Sequence, residues 1–184
     1  MEEKVYHGSP QPNVKILNKR KSTHMVECVY ATNNSTIALL FMAKGNGDLD
    51  KSIDICDGEI TLVERRPGVL KKLYSSKGYL YELNSKNFNH YDFLWSPEVI
   101  SYYDEETIGC EEINNIYEEL MKRQEMGMIK VCEYPERPKY IPLDNSDLIE
   151  KYLNFQERGR KNAIADLLEI YPEFEERVNK SKKI

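Results

Sequence analysis

No stretch of this chain approaches the ~18 consecutive apolar residues that a membrane-spanning helix needs, and no membrane partner is expected. Histidine is scarce. His7, His24 and His90 are the only three, spaced far from one another and without metal-ligand spacing, so no metal is expected. The four cysteines, Cys28, Cys56, Cys110 and Cys132, form no C-x-x-C pair. They read as reduced, mostly buried thiols of a cytoplasmic protein. The acidic opening MEEK is unlike a secretory signal. Positive charge is not in excess either: 26 Lys and Arg face 31 Asp and Glu, a net charge of −5. Composition therefore gives no support to broad nucleic-acid binding, although a local basic groove stays open. The segment GNGDLD at 45–50 lacks the third glycine of a dinucleotide fingerprint and follows a helical pattern rather than a strand. The acidic run from Asp48 to Glu59 has Ile53 where a calcium loop needs its sharp-turn glycine.

What remains is an ordinary globular composition. With 184 residues, 40% hydrophobic and 31% charged, the chain is long enough for one real core, with room for a small appendage. Thirteen tyrosines are many, and most are expected half-buried in strands or core. Strands are predicted at 4–7, 26–31, 59–64, 79–83, 98–103 and 128–134, with a loop or short strand at 14–17 followed by the basic patch NKRKS. A nearly all-apolar helix is predicted over 36–43, its start capped from the Asn and Ser residues of TNNST. A short helix is predicted within 65–78, and a helical stripe of Ile113, Ile116, Tyr117, Leu120 and Met121 over 110–125. The basic run ERRPGVLKK reads as a solvated face, and PERPKYIP as an extended connector. Leu148, Ile149, Tyr152 and Leu153 share one helical face, and Ala163, Ile164, Leu167 and Leu168 another. The expected class is α+β: a body over 1–144 with a C-terminal helical appendage over 145–184 packed on it.

Three segments put chemistry on or beside a strand: HGS at 7–9, VYATNNSTIALLF at 29–41, and SPEVISYYD at 96–104. Together they offer a histidine, flat rings and a carboxylate. Each alone has a plain explanation, with His7 in a turn, Tyr30 in the core and Glu98 exposed on a strand. In order, they resemble the motifs of the ADP-ribosyltransferase fold, in its His-Tyr-Glu branch of diphtheria toxin and the poly(ADP-ribose) polymerases. In that branch a first strand ends in H-G-[ST], a second carries Tyr just before a helix with a further aromatic, and a later strand begins with Glu. HGS, Tyr30 with Phe41, and PEVISYYD match in turn, over roughly residues 4–104.

The resemblance implies a split mixed or antiparallel sheet with flanking helices, and NAD as the substrate. It implies that His7 binds the adenine-side ribose and that Gly8, beside Ser9, hydrogen-bonds the nicotinamide carboxamide through its backbone. Tyr30 stacks on nicotinamide with Phe41 closing the other side, and Glu98 holds the 2′-hydroxyl of the nicotinamide ribose as the catalytic acid. Glu82, in GYLYEL, is the reserve carboxylate. The expected activity is a toxin-like mono-ADP-ribosyltransferase or NAD glycohydrolase acting on a protein, a nucleic-acid base or water; an inhibitory protein partner is a further expectation. Two departures stand out: Ala38 where a Ser often contacts nicotinamide, and Glu27–Cys28 where a glycine often precedes the tyrosine strand. They leave open a non-catalytic nucleotide- or ADP-ribose-binding module, or an RNA 2′-phosphotransferase-like relative. Ser96, two residues before Glu98, replaces the first acid of the E-x-E pair of arginine-specific enzymes, so arginine is not the expected target.

Overall fold

The computed structural model describes residues 3–21, 26–43 and 45–181; His24 lies outside the described residues. The molecule is mixed α+β, with ten strands in two sheets and six α-helices among the described residues. The first strand, β1 (Lys4–Ser9), carries the β-branched and aromatic residues of KVYHGS and runs on through Gly8 and Ser9. It pairs antiparallel along its whole length with β7 (Gly78–Asn84), His7 opposite Tyr81 and Gly8 opposite Leu80. On the far side of β7 lies β9 (Glu105–Ile113), followed by the two-residue β2 (Ile16–Leu17).

The other edge of β1 faces β4 (Glu27–Thr32), and here the sheet splits. The two strands share a single register pair, Tyr6 with Thr32. Glu27 and Cys28 of β4 pair instead with β3 (Arg20–Lys21), and its residues from Val29 to Thr32 pair with β8 (Glu98–Ser101). Every pairing in this seven-stranded sheet is antiparallel. A smaller sheet joins β5 (Lys51–Cys56), β6 (Glu59–Glu64) and β10 (Lys130–Cys132), with β10 parallel to β6.

Between the sheets sits α1 (Ser35–Leu40), all buried after its first residue. A helix so short is not stable by itself; burial and capping hold it. Asn34 Oδ1 accepts from Thr36 N at 2.9 Å and Ile37 N at 3.3 Å. The buried Arg123 guanidinium, from α3 (Ile116–Glu125), donates to Ser35 Oγ and Thr36 Oγ1. Ile37, Leu39 and Leu40 share one core with Leu62, with Leu70 and Tyr74 of α2 (Val69–Tyr74), and with Ile116 and Leu120.

The C-terminal helices, α4 (Asp147–Glu157), α5 (Ala163–Ile170) and α6 (Glu175–Ser181), build their own cluster around Leu148, Tyr152, Leu167 and Phe174, closed on the body by Leu49. The Tyr171 hydroxyl donates to Leu49 O at 2.7 Å, and Arg65 grips the Asp147 carboxylate through both guanidinium nitrogens at 2.7 Å. Arg65 is buried and also bonds Ser52 and Asn145. The ERRPGVLKK run is thus not simply a solvated face: its first arginine is the joint between body and C-terminal helices.

Three strands escape the sequence pattern: β5, β9 and the two-residue β3, which lies in what read only as the basic patch NKRKS. Residues 105–113, the last four of which the helical reading covered, are strand, because helix begins only after Asn115 caps Glu118 N. In EETIGCEEI only Glu105 and Ile113 are buried, so pairing with β7, rather than an apolar face, holds the strand. Residues 51–56, read only as an acidic run, form β5 against β6. The cysteines divide evenly instead of being mostly buried: Cys28 and Cys132 are inside, while Cys56 and Cys110 are exposed, and all four are free thiols. No described helix is long and apolar enough to cross a membrane.

Candidate functional site

The split between β1 and β4 opens into a cleft of about 520 Å³, within the range of small-molecule sites. His7, Gly8, Ser9, Tyr30, Phe41 and Glu98 all line it, and so does Ala38. Six residues from three separate segments are brought to one place. Glu82 is not in that wall; it sits on β7, paired with Lys4 at 2.6 Å, one strand removed.

His7 bridges the split. Its Nδ1 lies 2.8 Å from Tyr30 O, and because a carbonyl only accepts, Nδ1 carries the proton and donates. In the neutral ring Nε2 is then an acceptor. Burial pushes the His7 pKa below its ordinary value, against a smaller upward pull from the Tyr30 bond, and the nearby Arg20 charge lowers it further. The site thus holds a neutral imidazole able to accept a hydroxyl hydrogen.

Gly8 has a structural cause that the motif does not reveal. A Cβ built there would lie 2.1 Å from Ala38 O and 2.7 Å from Met42 Cγ. The backbone of α1 crosses directly over β1 at this point, and a residue without a side chain is what lets helix and strand touch. Ala38 is fully buried, its carbonyl turned to Gly8. Ser9 ends the strand, its Oγ accepting from Gln11 N at 3.2 Å.

Tyr30 lies opposite Ile100 in the β4–β8 ladder, and Thr32 opposite Glu98. Alternation along β4 puts Cys28, Tyr30 and Thr32 on one face. Burial raises the Cys28 pKa, partly offset by a hydrogen bond with Tyr30. Phe41 caps the C-terminus of α1 and stays 44% exposed, its ring meeting Trp95 edge-on at 6.1 Å. Glu98 opens β8, and its Oε2 accepts from Trp95 N at 3.1 Å. That bond fixes the carboxylate at the strand's head, beside the cleft mouth.

Residues that the motifs do not include complete the cleft. Gln11 and Val14 form a rim held by Tyr81, whose hydroxyl donates to Gln11 O at 2.6 Å and accepts from Val14 N at 3.1 Å. Arg20, on β3, brings a cation into the wall. The NKRKS patch was the sequence signal for Arg20; nothing marked Tyr81 before its partners were known. Two more open hollows, about 560 Å³ beside Lys130 and Arg137 and about 720 Å³ beside Arg66 and Tyr171, hold no comparable set of groups. No group of metal-binding side chains occurs among the described residues. Comparison with protein-family models, curated proteins and solved structures returns no match.

Proposed function

We propose that the cleft between β1 and β4 binds NAD and that the protein cleaves its nicotinamide N-glycosidic bond, as a mono-ADP-ribosyltransferase or NAD glycohydrolase. The observation that supports this is the convergence of the HGS, tyrosine-strand and glutamate-strand residues on one cleft. In this reading, His7 Nε2 accepts from a ribose hydroxyl, which suits a ring whose Nδ1 is committed to Tyr30 O. Tyr30 and the exposed ring of Phe41 hold nicotinamide flat between them, orienting the scissile bond. Glu98 holds the 2′-hydroxyl and stabilises the positive charge that develops on the ribose as the bond breaks. Arg20 supplies a counter-charge for the diphosphate.

A non-catalytic reader of the same ligand is favoured by two features: Glu98 Oε2 is bonded to Trp95 N, and Ala38 offers no hydroxyl. Nicotinamide release from NAD by the purified chain, beside Glu98→Gln and Tyr30→Ala, separates the two. Release that collapses in both variants is the expected result. Binding without release points to the reader, and neither binding nor release refutes the assignment.

A further inference from the structure

Beside the cleft lies a ledge of aromatic rings that this reading does not use. Tyr91 and Phe93 stack with centroids 5.7 Å apart and planes at 19°, and Tyr102 meets Tyr91 edge-on at 5.8 Å. Phe93 is 46% and Tyr102 43% exposed, while Tyr91 is half-buried. The ledge is continuous with the cleft. Tyr91 packs on Cys28, Leu94 and Ile100, and Cys28 is itself part of the cleft wall. Trp95, from the same loop as Tyr91 and Phe93, touches Phe41 and holds Glu98. From Glu98 to Tyr102 the chain advances four residues, about 13 Å at the rise of a strand.

Across β4 from the rings lies a strip of cations. Arg20 pairs in register with Cys28, and Lys21 with Glu27. Lys15, Lys19, Arg20 and Lys21 are all exposed, with no acid between them, in a molecule of net charge −5. Four acids sit near them: Glu27; Asp104, which accepts from Lys19 N at 2.8 Å; and Glu105 and Glu106, in register with Leu17 and Ile16. Glu105 is buried, its carboxylate taken by the Ser101 hydroxyl, which leaves three of the acids at the surface.

Exposed rings on one side of β4 and cations on the other are what a single strand of nucleic acid requires: bases stack on the rings and phosphates meet the cations. A duplex keeps its bases stacked inside and cannot use the rings. A peptide could use the rings but, unless acidic, has no use for the strip. We propose that this ledge binds single-stranded nucleic acid and presents one nucleotide to the mouth of the cleft as the acceptor. The acceptor role rests on the NAD reading above. In the transfer, an amine or hydroxyl of the nucleotide attacks C1′ of the nicotinamide ribose. The C1′–N bond breaks with its electron pair passing to the nicotinamide ring, whose positive charge is thereby discharged. The nucleophile's proton is lost to water.

The test uses the full chain and fluorescein-labelled DNA and RNA single strands of about a dozen nucleotides, with the matching duplexes, read by anisotropy at low and moderate salt. The expected result is preference for single strands, weakened by salt, with affinity falling about tenfold or more in Phe93→Ala/Tyr102→Ala. The surface variant Lys19→Gln/Lys21→Gln should flatten the salt dependence. Thermal unfolding checks that both variants are folded. Failure to bind a single strand, equal binding of strand and duplex, or wild-type binding by the ring variant overturns the ledge. Label passing from NAD to added proteins but never to the strand also overturns it. Nicotinamide release scored in the same samples keeps the two readings apart. Release without strand binding sinks the ledge alone, while strand binding without release counts against the NAD chemistry and leaves the ledge standing.

Discussion

Gly8→Ala puts a single methyl group where α1 crosses β1. The new Cβ would meet Ala38 O at 2.1 Å and Met42 Cγ at 2.7 Å, whereas ordinary contact begins near 3.4 Å. Met42 can swing its side chain. The carbonyl cannot, because it belongs to a helix buried on every side and pinned by Asn34 and Arg123. Either α1 or β1 must shift by more than an ångström within a close-packed interior, which costs about 3 kcal/mol at the upper end for overpacking. Alanine recovers about 0.4–1 kcal/mol by stiffening the unfolded chain. The net loss is about 2–3 kcal/mol, or a fall in Tm of about 5–10 °C for a chain of this length. Urea and thermal unfolding followed by circular dichroism measure it. Gly109→Ala is the matched control, because its Cβ meets chiefly the end of the Glu82 side chain, which can move aside; a change within about 0.5 kcal/mol is expected there. If Gly8→Ala were as stable as the control, the close approach of α1 would not be the reason for this glycine, and the packing argument would fail.

Other outcomes follow from the same geometry. Arg65→Met breaks the two-pronged grip on Asp147 and the bonds to Ser52 and Asn145; a loss of about 3 kcal/mol in urea unfolding is expected, the low end for a buried pair because Asp147 is partly exposed. Leu167→Ala, at a fully buried position among the C-terminal helices, should cost about 2–5 kcal/mol by the same assay. His7 gives a pH dependence whose sign is fixed. Its folded pKa lies below the ordinary 6.5, so its contribution to stability is fully present above that pH and is lost as pH falls through the folded value. NAD affinity should decline over the same acid range, as Nε2 gains a proton and ceases to accept. Titrations of wild type and His7→Gln between pH 5 and 8 check this, the variant losing the dependence.

How much was legible beforehand depended on whether burial left a mark on the residues. The strand at 59–64, four of its residues apolar or β-branched and buried, stood out, as did the capped apolar helix after TNNST. The faces of α4 and α5 were readable because each packs one stripe inward. β5 and most of β9 were not, since their residues are largely half-exposed or exposed and backbone pairing holds them in place. The candidate site was legible as short motifs, but not as a place. That His7, Tyr30, Phe41 and Glu98 share a cleft depends on β1 and β4 parting after one register pair, a tertiary event with no local signature. Gly8 shows the limit most clearly. Its motif suggested a bound ligand, whereas its nearest neighbour is the backbone of the protein's own helix. Arg65 shows it again: in sequence it belongs to a basic run, and in the fold it is a buried joint.

The cleft carries its own reporter. Trp95 is the sole tryptophan, lying edge-on to Phe41 and hydrogen-bonded to Glu98, so a ligand held between Tyr30 and Phe41 changes its surroundings directly. The decisive measurement is a titration of Trp95 fluorescence with NAD in the wild-type chain and in Tyr30→Ala. The account predicts a saturable change that free nicotinamide competes away and that Tyr30→Ala abolishes. A flat titration in the folded wild-type protein, or a change that survives loss of the Tyr30 ring, would contradict it.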